Sequence, residues 1–124
     1  MMTEPSIRYD EEGDILYISF RPGQQAMGID LTEHILFRFD PKTKEAIGLT
    51  LLDYTRLVRP TEVGPRSFSM NGLEHLSVEL RQTVVTLLTT YPVNQFLKVS
   101  LYTPSPKRRL PLLYVERSAF AMAA

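Results

Sequence analysis

The sequence contains no cysteine. A chain without cysteine has no disulfide, no thiolate nucleophile, and no zinc or iron–sulfur cluster bound through sulfur. It also lacks any apolar run close to the roughly 20 residues that a membrane-spanning helix needs, and its opening residues have neither the basic nor the apolar region of a signal peptide. These absences predict a protein of the reducing cytoplasm that is neither secreted nor embedded in a membrane.

The charges of the chain are balanced. Its 14 basic and 14 acidic side chains give zero formal net charge, so no global field steers the protein towards nucleic acid, a membrane surface or an acidic ligand. The apolar fraction of 44% and the charged fraction of 23% are ordinary for a globular protein. Because 124 residues suffice for one hydrophobic core, we predict a single domain over residues 1–124.

Short strands with alternating apolar side chains fill residues 7–54. Every second side chain is apolar in residues 15–21 and again in residues 34–39, as expected of strands with one buried face. Polar turns such as Asp10–Asp14 and Asp40–Glu45 separate the strands. Sequential strands with short links predict an antiparallel β-meander. The apolar alternation is carried by Leu16, Ile18, Phe20, Ile35, Phe37, Phe39, Ile47, Leu49 and Leu51.

One main helix is predicted over residues 72–91. Apolar side chains recur there at spacings of three and four, which places them on one stripe of a helix, and Asn71 with Glu74 offers a capping box. Residues 83–90 are mostly β-branched and favour a strand instead, so that alternative stays open. The apolar stripe comprises Leu73, Leu76, Leu80, Val84, Leu87 and Tyr91.

The remaining segments complete the predicted architecture. Residues 55–71 have no apolar periodicity and contain prolines and glycine, which predicts a loop. Residues 95–117 are predicted to form a β-hairpin and residues 118–124 a loose tail. The predicted fold class is therefore α+β: an antiparallel β-meander sheet with one main helix packed across one face, followed by C-terminal strands.

The meander segment, residues 7–54, resembles a small bacterial family catalogued as domain of unknown function 2283. The residues that carry the resemblance are Tyr9, Asp10, Asp14, Tyr17, Asp40, Ile47, Gly48 and Leu49. They are turn and core residues, so the resemblance implies the meander and supplies no catalytic residue and no ligand. Some members of the family sit beside small toxin-like proteins, which implies an antitoxin or partner-binding role. The rest of the chain is an extension beyond the family's core.

No catalytic, metal or cofactor site is predicted. The acidic stretch Asp10–Asp14 departs from the calcium-loop pattern in the position of its glycine and of its last ligand, and a solvated turn explains it. His34 and His75 have no partner at metal-ligand spacing. The sequence has no nucleophile elbow, no zinc-protease motif and no glycine-rich phosphate loop. The pattern favours a non-enzyme, although carboxylates assembled only in three dimensions leave no sequence signal.

Basic residues offer the candidate contacts to nucleic acid or to a partner. A cluster in the predicted hairpin is joined by arginines of the predicted loop, and such side chains contact phosphates. The neutral overall charge argues against nucleic acid, because counterion-release binding requires several phosphates to be neutralised together. The candidates are Arg56, Arg59, Arg66, Lys107, Arg108 and Arg109.

The apolar segment Leu110–Val115 has two interpretations. It is either a central strand of the core or an exposed edge strand that builds a homodimer interface. The leading functional hypothesis is a non-catalytic module that binds a small protein partner through a sheet edge or surface loops and that self-associates as a dimer. The alternative is a small enzyme or ligand-binding domain with a site between the helix and the loop Arg56–Arg66.

Overall fold

The computed structural model describes residues 5–21, 26–62, 66–105 and 108–115, with the side chains of residues 101–111 outside the description. Within these residues, eight strands and two α-helices follow one another. The strands are β1 Ser6–Asp10, β2 Ile15–Ser19, β3 Met27–Thr32, β4 Ile35–Asp40, β5 Glu45–Leu52, β6 Phe68–Ser69, β7 Leu97–Ser105 and β8 Arg108–Val115. The helices are α1 Tyr54–Leu57 and α2 Val78–Leu88, with single 3-10 turns at Asn71–His75 and Val93–Gln95.

Strands β1 to β5 form one antiparallel sheet with the order β1-β2-β5-β4-β3. Strand β5 lies between β2 and β4 and pairs with both, so β2 and β3 are not neighbours although they are consecutive in sequence. The sheet therefore consists of the β1–β2 hairpin joined along β5 to the meander of β3, β4 and β5. The predicted antiparallel sheet is confirmed, with this refinement of its strand order.

The inner face of this sheet is the core of the protein. Phe37 and Phe39 are fully buried, and their rings stack with centroids 5.5 Å apart. Such aromatic pairs stabilise a core beyond the area that they bury. The predicted alternation is confirmed for the assigned side chains that belong to the buried cluster, which are all but Ile47. Ile47 is buried too, but it falls at the register shift between β4 and β5, where Ala46 and not Ile47 pairs with Phe39. Strand β5 adds Ala46 to the buried set.

The helix is shorter than predicted. Helix α2 begins at Val78, and Ser77 is its N-cap, with its hydroxyl oxygen accepting a hydrogen bond from the amide of Leu80 at 3.2 Å. The predicted start at residue 72 and the capping box at Asn71 are wrong, because residues 71–75 form a separate 3-10 turn and Leu76 is extended. The helix ends at Leu88, before Pro92, consistent with the disfavour of α conformation next to a proline.

The strand alternative for residues 83–90 is wrong, because α2 continues to Leu88 and Thr89 is its C-cap. The threonine hydroxyls donate to carbonyl oxygens one turn back, with Thr83 bonding Glu79 at 3.1 Å and Thr90 bonding Thr86 at 2.9 Å. Local bonds of this kind satisfy β-branched polar residues inside a helix. Val84 and Leu88 are fully buried and anchor the helix on the core.

Strands β6, β7 and β8 form a second sheet with the order β6-β8-β7. The predicted loop over residues 55–71 is wrong in part, because it contains the end of α1 and the two-residue strand β6. The predicted hairpin begins with a 3-10 turn, and β7 pairs with β8 from Leu97 to Ser105. The predicted tail, residues 118–124, lies outside the described residues.

A single buried cluster joins the two sheets and α2. The five-stranded sheet contributes its inner face, and the ring of Phe20 on that side contacts the ring of Phe96 with centroids 5.9 Å apart. The structure is thus an α+β fold with one main helix, as predicted. The predicted single domain over residues 1–124 stays a prediction, which this shared cluster supports. The cluster members after β5 are Leu57, Met70, Leu73, Val84, Leu88, Val93, Phe96, Leu97, Leu113 and Val115.

Candidate functional site

Polar side chains gather at one end of the five-stranded sheet. Strand β2 begins and β5 ends there, because Ile15 pairs with Leu52, and the Leu52 amide donates to the His34 carbonyl oxygen at 2.8 Å. Asp14 and Asp53 follow this end and both adopt the left-handed conformation, with φ of 54° and 53°. Aspartate tolerates that region better than most residues. The antiparallel pairing therefore brings Asp14, Asp53 and His34 to the same end of the sheet.

Asp14 is the centre of the larger group. Its carboxylate accepts hydrogen bonds from the Tyr9 hydroxyl at 2.6 Å, from the Thr55 hydroxyl at 2.7 Å and from the Thr55 amide at 3.2 Å. Its backbone carbonyl oxygen accepts from the Tyr54 amide at 3.0 Å. These bonds tie the β1–β2 turn to the start of α1, which lies some forty residues later in the chain. Asp14 therefore fixes where the chain leaves the sheet.

The hydrogen bond between Tyr9 and Asp14 shifts the pKa of both groups. It favours the ionised carboxylate, so the pKa of Asp14 lies below its usual value of 3.8, with the bonds from Thr55 acting in the same direction. It also holds the phenolic proton, which raises the pKa of Tyr9 from 10.0 to about 12. The ring of Tyr9 meets the ring of Tyr54 edge to face, with centroids 5.7 Å apart. Asp14 is therefore an acceptor and not a proton donor near neutral pH.

His34 and Asp53 form the second pair of this cluster. The Nδ1 atom of His34 lies 3.2 Å from the Asp53 carboxylate, and the two side chains are 34% and 54% exposed. A histidine and an aspartate occur together in hydrolases, where the histidine activates a nucleophile. The hydroxyl of Thr55 donates to Asp14, however, and is therefore committed elsewhere. Within residues 5–21, 26–62, 66–105 and 108–115, no group of three or more His, Asp or Glu could hold a metal ion.

The acidic turn also has a structural explanation. One carboxylate oxygen of Asp10 accepts the amide of Glu12 at 3.2 Å, which is an Asx turn. Asp40 acts in the same way in the β4–β5 turn, where it accepts the amides of Lys42 and Thr43. Those bonds hold the pKa of Asp40 below its usual value. The aspartates that carry the family resemblance thus fix turns.

The other landmarks of the resemblance lie within the sheet. The Arg8 guanidinium lies over the ring of Tyr17, 4.5 Å from its centroid. A Cβ atom at Gly48 would lie 2.9 Å from the Ile18 carbonyl oxygen, so only glycine fits there without displacement. Residue 48 is next to a register shift in the pairing of β4 with β5. These landmarks maintain the sheet and point to no chemistry.

Two adjoining clefts run between α2 and the β4–β5 turn, with volumes of about 260 and 530 Å³. Lys44 and Leu87 line both. Arg21 and Glu45 form an ion pair of 2.6 Å at the smaller cleft. The predicted ligand site lay instead between the helix and the loop Arg56–Arg66, and neither of these clefts is lined by that loop.

The six predicted basic contacts are not shown to form one surface. Arg56 lies on α1 and is exposed, Arg59 is exposed just after it, and Arg66 is half-buried. Lys107 lies outside the described residues, and Arg108 and Arg109 begin β8 with their side chains outside the description. Their role as contacts to nucleic acid or a partner stays a prediction.

Sequence reasoning missed Thr55 and the pairing of His34 with Asp53. Thr55 fell in the predicted loop, and its bond to Asp14 spans 41 positions, so no local pattern announces it. The spacing of Tyr9 and Asp14 across a hairpin turn was a usable signal. Side chains that flank a tight antiparallel turn lie within hydrogen-bonding distance of each other.

The fold and these contacts define a small α+β protein built on an antiparallel sheet whose polar end is held by structural hydrogen bonds. The model of a family described as "Protein of unknown function (DUF2283)" matches residues 6–54. This match confirms the resemblance, and it covers the five-stranded sheet and the start of α1 but not the elements that follow. No curated protein and no solved structure matches the chain. No helix among the described residues is long and apolar enough to cross a membrane.

Proposed function

We propose that the protein is a non-catalytic binding module that recognises a protein partner through strand β1. The observation that carries the proposal is the difference between the two edges of the five-stranded sheet. The β3 edge is covered, because the 3-10 turn Asn71–His75 packs so closely that a Cβ atom at Gly72 would collide with the Asp30 carbonyl oxygen. The β1 edge pairs with β2 on one side, and no strand in the described part of the chain pairs with its other side.

An open edge strand presents backbone donors and acceptors to an added strand. Strand β1 is five residues long, and side chains on both of its faces hold it in place. Ile7 packs against the core, Arg8 lies over Tyr17, and Tyr9 bonds Asp14. A strand held in this way costs little further ordering when a partner pairs with it. The polar end of the sheet thus prepares the edge for recognition.

The kind of partner and the biological role are proposed from the family resemblance. A partner-binding role agrees with members that sit beside small toxin-like proteins, so the proposed partner is a small protein and the proposed role is antitoxin-like. The absence of cysteine agrees with a reducing bacterial cytoplasm.

Hydrogen exchange on a captured complex tests the proposal. Tagged protein is used to isolate partners from its native lysate, and amide exchange is then compared between the complex and the free chain. We expect slower exchange at residues 6–10 and little change at residues 27–32, because the second edge is already covered. The Ile18 carbonyl oxygen faces Gly48 of β5, so the alternation along β2 and β1 places the amides of Ile7 and Tyr9 on the open side of β1. Ile7→Pro removes one of these amides and should weaken capture, whereas the matched Ile7→Ala keeps it and should not.

Two results would overturn the proposal. One is a stoichiometric complex in which β1 exchanges as fast as in the free chain. The other is equal capture by Ile7→Pro and Ile7→Ala when circular dichroism shows both to be folded. An eluate without a stoichiometric partner also counts against it and directs attention to the clefts beside α2.

A second candidate function is the binding of a small anionic ligand in those clefts. Lys44 supports it, because this side chain lines both clefts and no acidic side chain among the described residues lies within ion-pair distance of it. An NMR titration with a small carboxylate such as benzoate should shift the resonances of Lys44 and Leu87. Lys44→Met should abolish those shifts, and shifts that persist in this variant would exclude the site.

A further inference from the structure

The outer face of the five-stranded sheet is open in the described part of the chain. Its side chains are absent from the buried cluster and from the side chains that pack against it. Leu52 is 38% exposed on this face, whereas its neighbour Leu51, on the inner face, is fully buried. The strand register aligns one outer row across all five strands. That row is Arg8, Tyr17, Thr50, Leu36 and Asp30.

This row has opposite charges at its two ends. Arg8 lies on the β1 edge and Asp30 on the β3 edge, both exposed, with Tyr17 and Leu36 between them. Four strand intervals separate the two charges, which is about 19 Å, so they do not pair within one chain. The adjacent outer row contains small residues that allow another sheet to approach closely. That adjacent row is Ser6, Ser19, Gly48, Arg38 and Gly28.

We propose that this outer face is the interface of a homodimer, with the two sheets packed face to face about a two-fold axis parallel to β5. Such an axis places the β1 edge of one copy over the β3 edge of the other. Arg8 then meets the partner's Asp30, and Asp30 meets the partner's Arg8, because all these residues lie in one row. Tyr17 meets the partner's Leu36 in the same way. The face is therefore complementary to itself in charge, as a two-fold interface requires.

The charges also select this axis over the alternative. A two-fold axis perpendicular to the strands would place β1 over the partner's β1 and bring like charges together, which is unfavourable. Aligned packing of two sheets at about 10 Å is a common arrangement. The β1 edge stays accessible in it, so the dimer is independent of the proposed partner binding.

From the sequence, a different surface was the candidate for self-association. The segment Leu110–Val115 was a candidate interface, but β8 is the central strand of the second sheet, and Leu113 and Val115 are buried. The interpretation of this segment as a central strand is thus favoured over an exposed edge strand. The outer face of the five-stranded sheet offers both apolar side chains and charges that can pair between two copies.

Charge reversal tests the dimer. Sedimentation equilibrium from about 1 µM to about 1 mM gives the dissociation constant of the wild-type dimer. We expect Arg8→Glu and Asp30→Arg each to weaken it by about tenfold or more, because each places two like-charged pairs in the interface. A mixture of the two single variants should associate again, since both contacts then join opposite charges. The double variant should also dimerise.

Arg59→Glu is the matched control, because it makes the same charge change on an exposed residue outside the face. It should leave the dissociation constant unchanged. A wild-type chain that stays monomeric at about 1 mM overturns the proposal, as does a mixture that associates no better than the single variants. Because Asp30 lies on the β3 edge and the proposed partner pairs with β1, loss of the dimer in Asp30→Arg with partner capture retained separates this inference from the proposed function.

Discussion

The two faces of the five-stranded sheet are made by the same strands but have opposite characters. On β4, Phe37 is fully buried on the inner face, whereas its neighbours Leu36 and Arg38 lie on the outer face, half-buried and exposed. The inner face stabilises the fold, because it removes large side chains from water. The outer face contributes little to that stability and is free to evolve contacts with other chains. The alternation along each strand thus separates the side chains that stabilise the fold from those of the proposed dimer interface.

Phe37→Ala should produce the largest effect of the changes considered. It removes a buried ring that stacks on Phe39, and such substitutions lower the free energy of unfolding by about 3–5 kcal/mol. Leu36→Ala is the matched change on the outer face and should lower it by about 1 kcal/mol or less. Urea denaturation at low protein concentration measures both values for the monomer. Similar losses for the two variants would mean that the outer face is covered within the folded chain.

Gly72→Ala should produce the second-largest loss of stability. The added methyl group would collide with the Asp30 carbonyl oxygen, so the 3-10 turn must move away from β3. Overpacking of this kind costs about 1–3 kcal/mol. The comparison is with Gly28→Ala on the outer face, where a Cβ atom meets only side-chain atoms at 3.6 Å or more. Thermal unfolding should show a clear fall in melting temperature for Gly72→Ala and not for Gly28→Ala. Equal melting temperatures of the two variants would contradict the tight contact.

Asp14→Asn tests the polar end of the sheet, which belongs to neither face. The amide keeps one acceptor oxygen and loses the charge, so it cannot accept equally from Tyr9 and Thr55. We expect the free energy of unfolding to fall by about 1 kcal/mol, since the group is exposed. Asp10→Asn makes the same change in the same turn, where the single bond from Glu12 can be kept. A loss as large for Asp10→Asn would remove the special role of Asp14.

The sheet was predictable because its signals are local. Alternation over residues 15–21 and 34–39 fixes which face is buried, and each strand needs only its own residues to show it. The strand order was not predictable, because the place of β5 between β2 and β4 depends on pairing between segments far apart in sequence. The covering of the β3 edge was not predictable either, because it depends on the close contact of Gly72, far along the chain, with Asp30.

The helix and the site show where local reasoning fails. The stripe over residues 72–91 has helical spacing, but Gly72 must contact β3, and this contact leaves residues 71–75 as a separate turn. Ser77 then caps α2, which no periodicity indicates. The candidate site was missed in part for the same reason, since Thr55 bonds Asp14 from 41 positions later in the chain. Turn residues were found from sequence, whereas their long-range partners were not.

The smallest predicted effect is a loss of stability at alkaline pH through Tyr9. Its pKa is about 12 in the folded chain and close to 10.0 in the unfolded chain, so folding favours the protonated phenol. This contribution is complete below pH 10 and is lost as the pH rises through 12. The contribution of Asp14 has the opposite sign, because its lowered pKa makes it complete above the usual value of 3.8 and lost on acidification below it.

Urea midpoints measured from neutral pH to about pH 11.5 should therefore fall more steeply for the wild type than for Tyr9→Phe, which has no proton to lose. Tyr91→Phe makes the same change on an exposed ring whose hydroxyl bonds no carboxylate in the described part of the chain, and it should follow the wild-type curve. Equal slopes for all three proteins would show that the bond between Tyr9 and Asp14 does not persist in solution. That result would leave the pairing with β2 and the side chains of Ile7 and Arg8 to hold β1, and it would weaken the case that the polar end of the sheet prepares this edge for a partner.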